Sequence, residues 1–420
     1  MENKDIILGA GISGLGAGYK LGDKAQIFEM RDRIGGLCDN FLINGFRFDY
    51  AVHLSFTKNP QVRAIFDKVD FLTHKPDALN FSKGLWLKHP LQNNLNNLPI
   101  QERIQIIKGF INREDKIDIN NYGDWLQSKY GKYFSENYPE KYTKKYWCTE
   151  AYELSTTWVA NRMYQPSIDE ILFGAMTDET PNTYYAKEMR YPLNGGYKAF
   201  FEHIAEGQRI FLKHKAMFID PIRKMVKFEN GKSAQYRRLI SSVPLPEVIN
   251  MLDNVPLTVL DASRKLKASS MVLASVGFNE QVKIPSLWFY VYDEEIPFAR
   301  AYSPSMKSPN NVPEGKCSLQ FEFYFKNDEI HSFSDVWFKQ QVILALNGMG
   351  IAMESQIEFI DIRTVPYGNV IFDLGMEQQR AIVRNYLDSI GIITIGRFGE
   401  WDYLWSDQSL LSGLNVSEEI

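Results

Sequence analysis

The sequence predicts an α/β fold (α+β overall) in which a parallel-sheet domain is interleaved with a helical lobe and an antiparallel-sheet lobe. Near the N-terminus, apolar strands at Asp5–Leu8 and Ala25–Met30 flank a helix at Ser13–Leu21, and this order favours a parallel sheet. Helical patterns at Pro99–Phe110 and over much of Tyr122–Trp158 indicate the helical lobe. Further along, recurring aromatic and β-branched runs indicate the second sheet.

The later part of the chain also contains predicted strands and helices. They are predicted as strands at Met225–Phe228, Arg238–Val243, Met271–Phe278, Leu287–Tyr292, Ser318–Phe325 and Ile392–Ile395, and as helices at Asp335–Leu346, at Glu377–Leu387 and from Asp407 onward. Because the first and last segments share a strand-then-helix style, we expect one domain to be interrupted and then completed.

Composition excludes several classes of protein. With 420 residues, the chain is long enough for two or three lobes. A formal net charge of −4 argues against a nucleic-acid partner or a polybasic membrane surface. No apolar run approaches the ~18 residues of a membrane span, so none is expected.

The cysteines and histidines give no sign of a disulfide framework or a metal site. Cys38, Cys148 and Cys317 lie far apart and are odd in number, which fits a reducing, cytoplasmic location. The six histidines lack metal-ligand spacing, and no metal is expected.

The turn after the first strand carries a G-x-G-x-x-G motif, Gly9-Ala10-Gly11-Ile12-Ser13-Gly14. Its glycines permit a tight turn, close approach of a pyrophosphate and close helix packing, while the helix amides face the phosphates. About 20 residues downstream, Glu29 ends the second strand, where a carboxylate binds ribose hydroxyls. These features predict a Rossmann-type dinucleotide-binding domain.

A longer run distinguishes FAD from NAD. Glu29-Met30-Arg31-Asp32-Arg33-Ile34-Gly35-Gly36 resembles the E-x-x-x-R-x-G-G signature of the flavin amine oxidase superfamily. The resemblance implies FAD as the cofactor, with the arginine and glycines along its phosphates and the flanking Met30 and Leu37 beside it. The predicted domains are an FAD-binding domain over residues 1–60, 195–255 and 390–420, a mainly helical lobe over 61–194, and a sheet-containing substrate lobe over 256–389.

Other segments resemble UDP-galactopyranose mutases, in particular the eukaryotic-type branch. Phe48 to Phe56 looks like the mutase segment that places a histidine, here His53, beside the flavin. His89-Pro-Leu-Gln92-Asn-Asn resembles an aromatic-Pro-x-Gln-Asn-Asn segment whose tyrosine and glutamine line the nucleotide site, and His89 stands in the tyrosine's place.

The resemblance extends to the diphosphate site. Arg190, before Tyr-Pro and Gly195-Gly196, and Arg300, after Trp-Phe-Tyr290, match the two mutase arginines that hold the substrate diphosphate. Tyr367 matches a phosphate-binding tyrosine segment loosely, and Lys307 stands where the family has a tyrosine.

The C-terminal segment carries the strongest match. Gly396-Arg397-Phe-Gly-Glu-Trp, followed by Tyr403, resembles the closing mutase element that meets the flavin and delivers a tyrosine to the diphosphate. The same element continues through Asp407, Gln408 and Ser409, which the resemblance places at the cofactor, with Asp407 in place of the family's Asn.

The resemblance implies an FAD-dependent nucleoside-diphosphate-sugar pyranose–furanose mutase. In that reaction the N5 of reduced flavin attacks the anomeric carbon, with no net redox change, and an external reductant keeps the flavin reduced. Arg190 and Arg300 would hold the diphosphate and His53 would tune the flavin. The expected role is polysaccharide biosynthesis. Two alternatives stay open: an FAD-dependent oxidoreductase of the amine oxidase or protoporphyrinogen oxidase type, and a non-catalytic protein that retains FAD.

Overall fold

The computed structural model describes residues 4–113, 118–159, 162–181, 186–326 and 329–417. The β-strands within these residues are β1 (Asp5–Leu8), β2 (Ala25–Phe28), β3 (Asn40–Ile43), β4 (Phe46–Asp49), β5 (Phe71–His74), β6 (Ala78–Ser82), β7 (Leu85–Lys88), β8 (Met189–Pro192), β9 (Ile210–Phe211), β10 (Ala216–Asp220), β11 (Met225–Phe228), β12 (Ser233–Gln235), β13 (Leu239–Ser241), β14 (Ala268–Phe278), β15 (Trp288–Val291), β16 (Arg300–Tyr302), β17 (Cys317–Lys326), β18 (Ile357–Val370) and β19 (Ile392–Thr394). The α-helices are α1 (Ile12–Leu21), α2 (Pro60–Phe66), α3 (Ile100–Ile111), α4 (Tyr122–Tyr130), α5 (Lys132–Asn137), α6 (Pro139–Trp147), α7 (Ile168–Met176), α8 (Leu245–Asn250), α9 (Leu257–Lys265), α10 (Pro304–Lys307), α11 (Asp335–Gly348), α12 (Met376–Ser389), α13 (Gly396–Gly399) and α14 (Ser406–Leu414).

A five-stranded parallel sheet forms the centre of the dinucleotide-binding domain. Its strand order is β19-β13-β1-β2-β9, with β1 paired in parallel to both β2 and β13. All four residues of β1 are buried, as expected of a strand covered on both faces. Helix α1 packs so closely on α14 that a Cβ at Gly413 would lie 2.0 Å from the Ser13 carbonyl oxygen. The predicted α/β fold with a Rossmann-type domain is thus confirmed.

The larger sheet has seven strands in the order β18-β14-β17-β16-β15-β6-β7. Its pairs are antiparallel except that β15 and β6 run parallel. Strand β17 alternates between its two faces: Leu319, Phe321 and Phe323 enter an apolar core that α11 covers, whereas Glu322 and Tyr324 project from the opposite face. That opposite face supplies part of the candidate site.

Two small antiparallel pairs position the segment around His53. Strands β3 and β4 pair as a hairpin that ends at Asp49, just before this segment. Strands β5 and β8 form the second pair, and a β-bridge joins Ser55 to Arg190 in β8. The segment is therefore fixed at both ends by backbone hydrogen bonds.

Apart from shifts of a few residues in the bounds of other elements, three differences from the predicted elements stand out. Strand β2 ends at Phe28, and the Glu29 amide makes a last ladder bond to the Phe211 carbonyl oxygen of β9 before the chain turns. The predicted helical stretch from Tyr122 is three helices, divided near Gly131 and Pro139, and its last helix ends at Trp147. The segment 61–194 also supplies β6 and β7 to the large sheet. The domain limits at residues 1 and 420 lie outside the described residues.

Candidate functional site

The glycine-rich turn between β1 and α1 is built for close backbone contact. Gly9 has a φ of +96°, and a Cβ at Gly14 would lie 1.9 Å from the Gly9 carbonyl oxygen. Helix α1 begins at Ile12 without a side-chain cap and without an acidic residue in its first turn. Its first amides, including that of Ser13, therefore offer hydrogen bonds to an anion.

A second glycine pair faces this turn. Gly35 and Gly36 have φ values of +115° and +57°, and the Gly35 amide donates to the Ala10 carbonyl oxygen at 2.9 Å. A Cβ at Gly36 would lie 3.0 Å from the Gly11 Cα. The two turns thus meet backbone to backbone, without side chains between them.

Glu29 directs its carboxylate at the same turn. Its side chain is buried, with Oε2 accepting from the Ala10 amide at 2.7 Å and Oε1 from the Arg31 amide at 2.8 Å. Met30, the next residue, is exposed. This is the place where a carboxylate meets the ribose of a bound dinucleotide.

Arg33 lies at the edge of the cleft, next to a buried carboxylate. Its Nε donates to Asp39 Oδ2 at 2.7 Å, and its Nη2 donates to Tyr50 Oη at 2.9 Å. Asp39 also accepts from Lys198 at 2.7 Å. Leu37 is half-buried in the turn after Gly36. Arg33 keeps 44% of its side chain exposed, so it remains accessible to a phosphate.

The C-terminal element packs on the start of α1. A Cβ at Gly396 would lie 2.2 Å from Ser13 Oγ, and the Gly396 φ is +76°. Arg397 donates to Asn369 Oδ1 at 2.6 Å and to the Leu404 carbonyl oxygen at 3.1 Å. Its Nε is buried and has no acceptor among the described residues.

The first turn of α14 holds the other three predicted cofactor residues. Asp407 is half-buried, Ser409 is buried, and Gln408 accepts from the Trp405 amide at 2.8 Å. Ser406, which begins the helix, contacts Tyr197 Oη at 2.6 Å. The start of α14 is therefore tied to the segment around His53, which Tyr197 also contacts.

These residues fit a dinucleotide. The uncapped amides of α1, the side-chain-free glycine contacts and the Glu29 carboxylate match its pyrophosphate and ribose. The buried Arg397 Nε supplies a further donor without an acceptor in the described part of the chain.

His53 is held in a neutral state beside this cleft. Its Nδ1 lies 3.2 Å from the Ala51 carbonyl oxygen, and its Nε2 lies 3.8 Å from Cys38 Sγ. Its ring centroid lies 5.0 Å from that of Tyr197. Burial lowers the pKa of His53 to about 4, against the opposing effect of the nearby Asp49 carboxylate.

A cavity of about 570 Å³ opens between helices α4 to α6 and the large sheet. Tyrosine, tryptophan and phenylalanine supply most of its lining, and none of the described lining residues is Asp or Glu. The lining residues are His89, Pro90, Gln92, Tyr122, Tyr130, Phe134, Pro139, Tyr142, Thr143, Tyr146, Trp147, Trp158, Arg162, Met163, Tyr164, Gln165, Tyr290, Tyr292, Arg300, Tyr403 and Trp405.

A second cavity, of about 600 Å³, lies between the segments Gln281–Ile284 and 305–317. Its described lining contains neither an arginine nor an aromatic residue. The aromatic cavity is therefore the better candidate for binding a flat, anionic ligand.

Arg300 is one of the two cations in the aromatic cavity. On β16, its Nε pairs with the fully buried Glu322, and a terminal nitrogen donates to Tyr324 Oη at 3.3 Å. The guanidinium lies 5.3 Å from the ring centroid of Tyr146. Its side chain is 18% exposed, which leaves part of the donor fork facing the cavity.

Arg162 is the second cation, and sequence reasoning missed it. Its guanidinium lies 4.1 Å from the ring centroid of Tyr403 and 4.2 Å from that of Trp405, and it donates to the Tyr403 carbonyl oxygen at 2.5 Å. The aromatic residues around position 162 were the only local signal. That signal is equally typical of a buried helix.

The predicted nucleotide-site residues line the same cavity. His89 Nδ1 lies 3.0 Å from Asn80 Oδ1, and its ring centroid lies 4.8 Å from that of Tyr290. Burial lowers the pKa of His89 to about 3, so the imidazole is neutral. Gln92 donates to the Tyr164 carbonyl oxygen at 3.1 Å.

Tyr403 completes the set at the opposite wall. Its hydroxyl lies 3.2 Å from that of Tyr146, and the guanidinium of Arg397 lies 4.7 Å from its ring centroid. The structure thus brings together five predicted substrate residues: His89, Gln92, Tyr290, Arg300 and Tyr403.

Arg190 and Tyr367 lie outside this set. Arg190 is buried on β8, where it pairs with Asp67 and donates to the Thr57 carbonyl oxygen at 3.2 Å. Tyr367 donates to Glu247 at 2.7 Å. Neither lines the cavity, because each is bonded elsewhere in the fold.

Lys307 also lies away from the cavity lining. It is fully buried and bonds to the equally buried Asp49 at 2.6 Å, between the rings of Tyr191 and Tyr302. The Asp49 carboxylate accepts the Tyr197 amide as well. Lys307 therefore stabilises Asp49, the residue at the start of the segment that leads to His53.

The cavity and the dinucleotide cleft adjoin each other. Trp405, a cavity residue, precedes Ser406, whose hydroxyl bonds to Tyr197 beside His53. The rings of Trp405 and Phe56 also lie 4.7 Å apart. A cofactor in the cleft and a ligand in the cavity would therefore be neighbours.

Comparison with known proteins gives a partial match in sequence and an extensive one in fold. Residues 7–69 match the family described as NAD(P)-binding Rossmann-like domain. The fold is similar to a crystal structure of reduced UDP-galactopyranose mutase, with a TM-score of 0.91 and 24% identity over 98% of this chain and 94% of that one. A protein from Exiguobacterium sp. 255-15, described as a protoporphyrinogen oxidase, gives a TM-score of 0.76 and 18% identity over 99% of this chain and 97% of that one.

A curated relative matches over a shorter stretch. The all-trans-retinol 13,14-reductase of Danio rerio is 29% identical over 100 residues, which are 23% of this chain and 14% of that protein. Together, the matched domain and the shared fold support FAD, the expected cofactor. No helix in the described ranges is long and apolar enough to cross a membrane.

Proposed function

We propose that the protein is an FAD-dependent enzyme that interconverts the pyranose and furanose forms of a nucleoside-diphosphate sugar. One observation carries the proposal. Arg162 and Arg300 are the two cations of an aromatic cavity whose described lining contains no carboxylate. Such a cavity favours a ligand that has both a flat ring and concentrated negative charge.

The chemistry of the lining suits a nucleoside diphosphate. A guanidinium presents a planar fork of donors that matches phosphate oxygens. Tyr290 and Tyr403 add hydroxyl donors without adding charge, and burial keeps both phenols neutral by raising their pKa values. Trp147 and Trp158 offer flat faces against which a nucleobase or a sugar packs.

FAD would be held by the glycine turns, Glu29, Arg33 and the start of α14. When bound and reduced, it supplies a nucleophilic nitrogen for covalent catalysis at the anomeric carbon. His53 would present a neutral imidazole beside the cofactor, since its pKa of about 4 lies well below neutrality. The positive charge near the reacting centre then comes from the arginines.

The two arginines have a defined task in this reaction. The diphosphate leaves the anomeric carbon and must return to the same carbon after the ring has changed size. Arg162 and Arg300 stabilise the charge that develops on the departing diphosphate and keep it in the cavity. Because Glu322 and the rings around Arg162 fix both guanidinium groups, the cavity is preorganised for this charge.

A second candidate is an FAD-dependent oxidoreductase. The observation in its favour is the prevalence of aromatic side chains over charged ones in the cavity, which suits an extended apolar substrate as well. Proteins described as a protoporphyrinogen oxidase and a retinol reductase are among those that this chain resembles. For that reaction, bound FAD would accept or donate a hydride.

The test offers UDP-, dTDP- and GDP-hexopyranoses to the flavin-loaded protein after anaerobic reduction with dithionite. The mutase predicts a product of unchanged mass with furanose signals in NMR, formed only when the flavin is reduced. Arg162→Ala and Arg300→Ala should each weaken UDP binding by about 10- to 100-fold, since each removes a charge-assisted contact. Arg223→Ala, at a site 79% exposed, is the matched control and should change nothing.

Two results would count against the mutase. If no sugar nucleotide isomerises and UDP does not bind, the proposal of a nucleotide-sugar substrate is wrong. If an apolar substrate then reduces the flavin, or accepts electrons from the reduced flavin, the oxidoreductase becomes the better supported function.

A further inference from the structure

Glu322 lies between the aromatic cavity and the His53 segment. It belongs to β17, near the middle of the seven-stranded sheet, and its side chain is fully buried. Its cross-strand partner on β16 is Arg300, so the two side chains emerge together from the same face. A buried carboxylate in such a place is costly unless all its oxygens are bonded.

Both oxygens of Glu322 are bonded, and to different parts of the site. Oε2 pairs with the Arg300 guanidinium and accepts from the Tyr324 hydroxyl at 2.6 Å. Oε1 accepts from the backbone amide of Val52 at 2.9 Å. One carboxylate thus holds a cavity arginine and the residue next to His53.

The backbone at that point needs support. Ala51 has a φ of +80°, which is unfavourable for a residue with a Cβ and persists only where surrounding contacts hold it. The same residue's carbonyl oxygen contacts His53 Nδ1. The Val52–Glu322 bond is therefore one of the contacts that fix the orientation of the imidazole.

We propose that Glu322 is a positioning residue that couples an anion bound at Arg300 to the orientation of the His53 segment. An anion that engages the guanidinium competes with the carboxylate for its donors. The redistribution changes the acceptor strength that Glu322 offers to the Val52 amide. By thermodynamic linkage, a change in the His53 segment alters the affinity of Arg300 for the anion to the same degree. The identity of the anion as a nucleoside diphosphate rests on the proposed function, whereas the coupling itself does not.

The test first uses a cycle that needs no ligand. Histidine is labelled with ¹³C in the flavin-loaded protein, and the ring signal of His53 is assigned by its loss in His53→Asn. Arg300→Gln should shift this signal when Glu322 is present and leave it unmoved in the Glu322→Gln background. Equal shifts in both backgrounds would overturn the proposal, because the effect would then reach His53 by another route.

Tyr324→Phe is the matched control. It removes the hydroxyl that donates to Glu322 Oε2 and accepts from Arg300, but it leaves the Arg300–Glu322 ion pair and the bond from the Val52 amide in place. Tyr324→Phe should preserve the response of His53 to Arg300→Gln. If the response disappears in the Tyr324→Phe background, the carboxylate has no specific role. If Glu322→Gln does not fold, Glu322→Asp serves instead: it keeps the charge, shortens the reach and should reduce the response.

UDP provides the second arm. Saturating UDP should shift the His53 signal in the wild-type protein, and Glu322→Gln, when saturated with UDP, should lack that shift. A full shift in the variant at saturation contradicts the coupling. If UDP fails to bind the wild-type protein, the proposed function fails, and the ligand-free cycle still decides the role of Glu322.

Discussion

His89 should make the protein sensitive to acid in a way that can be calculated. Burial lowers its pKa to about 3 in the folded protein, against an ordinary value of 6.5. Between these values the unfolded chain binds a proton that the folded chain does not, so stability falls as the pH falls. Lowering the pH from about 7.5 to about 4.5 should therefore cost about 2.6 kcal/mol at this residue alone.

His89→Asn isolates this effect. The asparagine amide can still donate to Asn80 Oδ1, as the His89 Nδ1 does, but it cannot titrate. The variant loses the ring contact with Tyr290 and should be about 1 kcal/mol less stable at neutral pH. It should nonetheless lose less stability than the wild-type protein on acidification, by about 2 to 3 kcal/mol.

The assay is proton uptake on unfolding. The protein is unfolded with urea in weak buffer at about pH 4.8, and the wild-type chain should take up about one proton more than His89→Asn. His331→Asn, at an exposed position, is the control and should match the wild-type uptake. Equal uptake by wild type and His89→Asn would mean that His89 is already protonated in the folded protein. The conclusion that its imidazole is neutral in the cavity wall would then be wrong.

Three further predictions concern the supporting structure. Gly14→Ala should abolish flavin retention, seen as loss of visible absorbance after gel filtration, whereas Gly348→Ala has open space around it and should retain flavin. Lys307→Met leaves the buried Asp49 carboxylate unpaired and should lower the unfolding free energy by about 3 to 5 kcal/mol in urea titrations; an unchanged value would mean that water replaces the amine. Lys145 has its pKa lowered to about 7 by burial, so the folded protein should gain stability as the pH rises from about 7 towards about 10, and thermal melts of Lys145→Met should lack that gain.

The sequence predicts the fold well where local chemistry and packing agree. The strand Asp5–Leu8, the glycine turn and helix α1 are found as expected, because a buried strand and a glycine-opened helix admit few other arrangements. The helical stretch after Tyr122 was predicted as a whole, and its division near Gly131 follows from that residue's φ of +78°. The placement of β6 beside β15 could not be predicted, since parallel pairing between residues about 200 positions apart has no local signal.

The candidate site shows the same division. His89, Arg300 and Tyr403 were predicted from motifs and meet in one cavity. Arg190 fits its motif equally well, but the fold pairs it with Asp67, a partner 123 positions away that no local pattern reveals. Arg162 belongs to none of the sequence motifs, and the rings of Tyr403 and Trp405 approach it only in the folded chain.

The residue types of the cavity lining give the strongest reason to expect an anionic ligand. His53 and His89 are both neutral at physiological pH because burial lowers their pKa values, and the Asp49–Lys307 pair is internally balanced. Glu322, the partner of Arg300, is fully buried and is not among the lining residues, and the guanidinium of Arg162 lies against the rings of Tyr403 and Trp405. The described lining therefore presents two guanidinium groups among aromatic rings and contains neither Asp nor Glu. A diphosphate can accept hydrogen bonds from these guanidinium groups, whereas a neutral apolar substrate cannot, and this difference favours the nucleotide sugar over the apolar alternative.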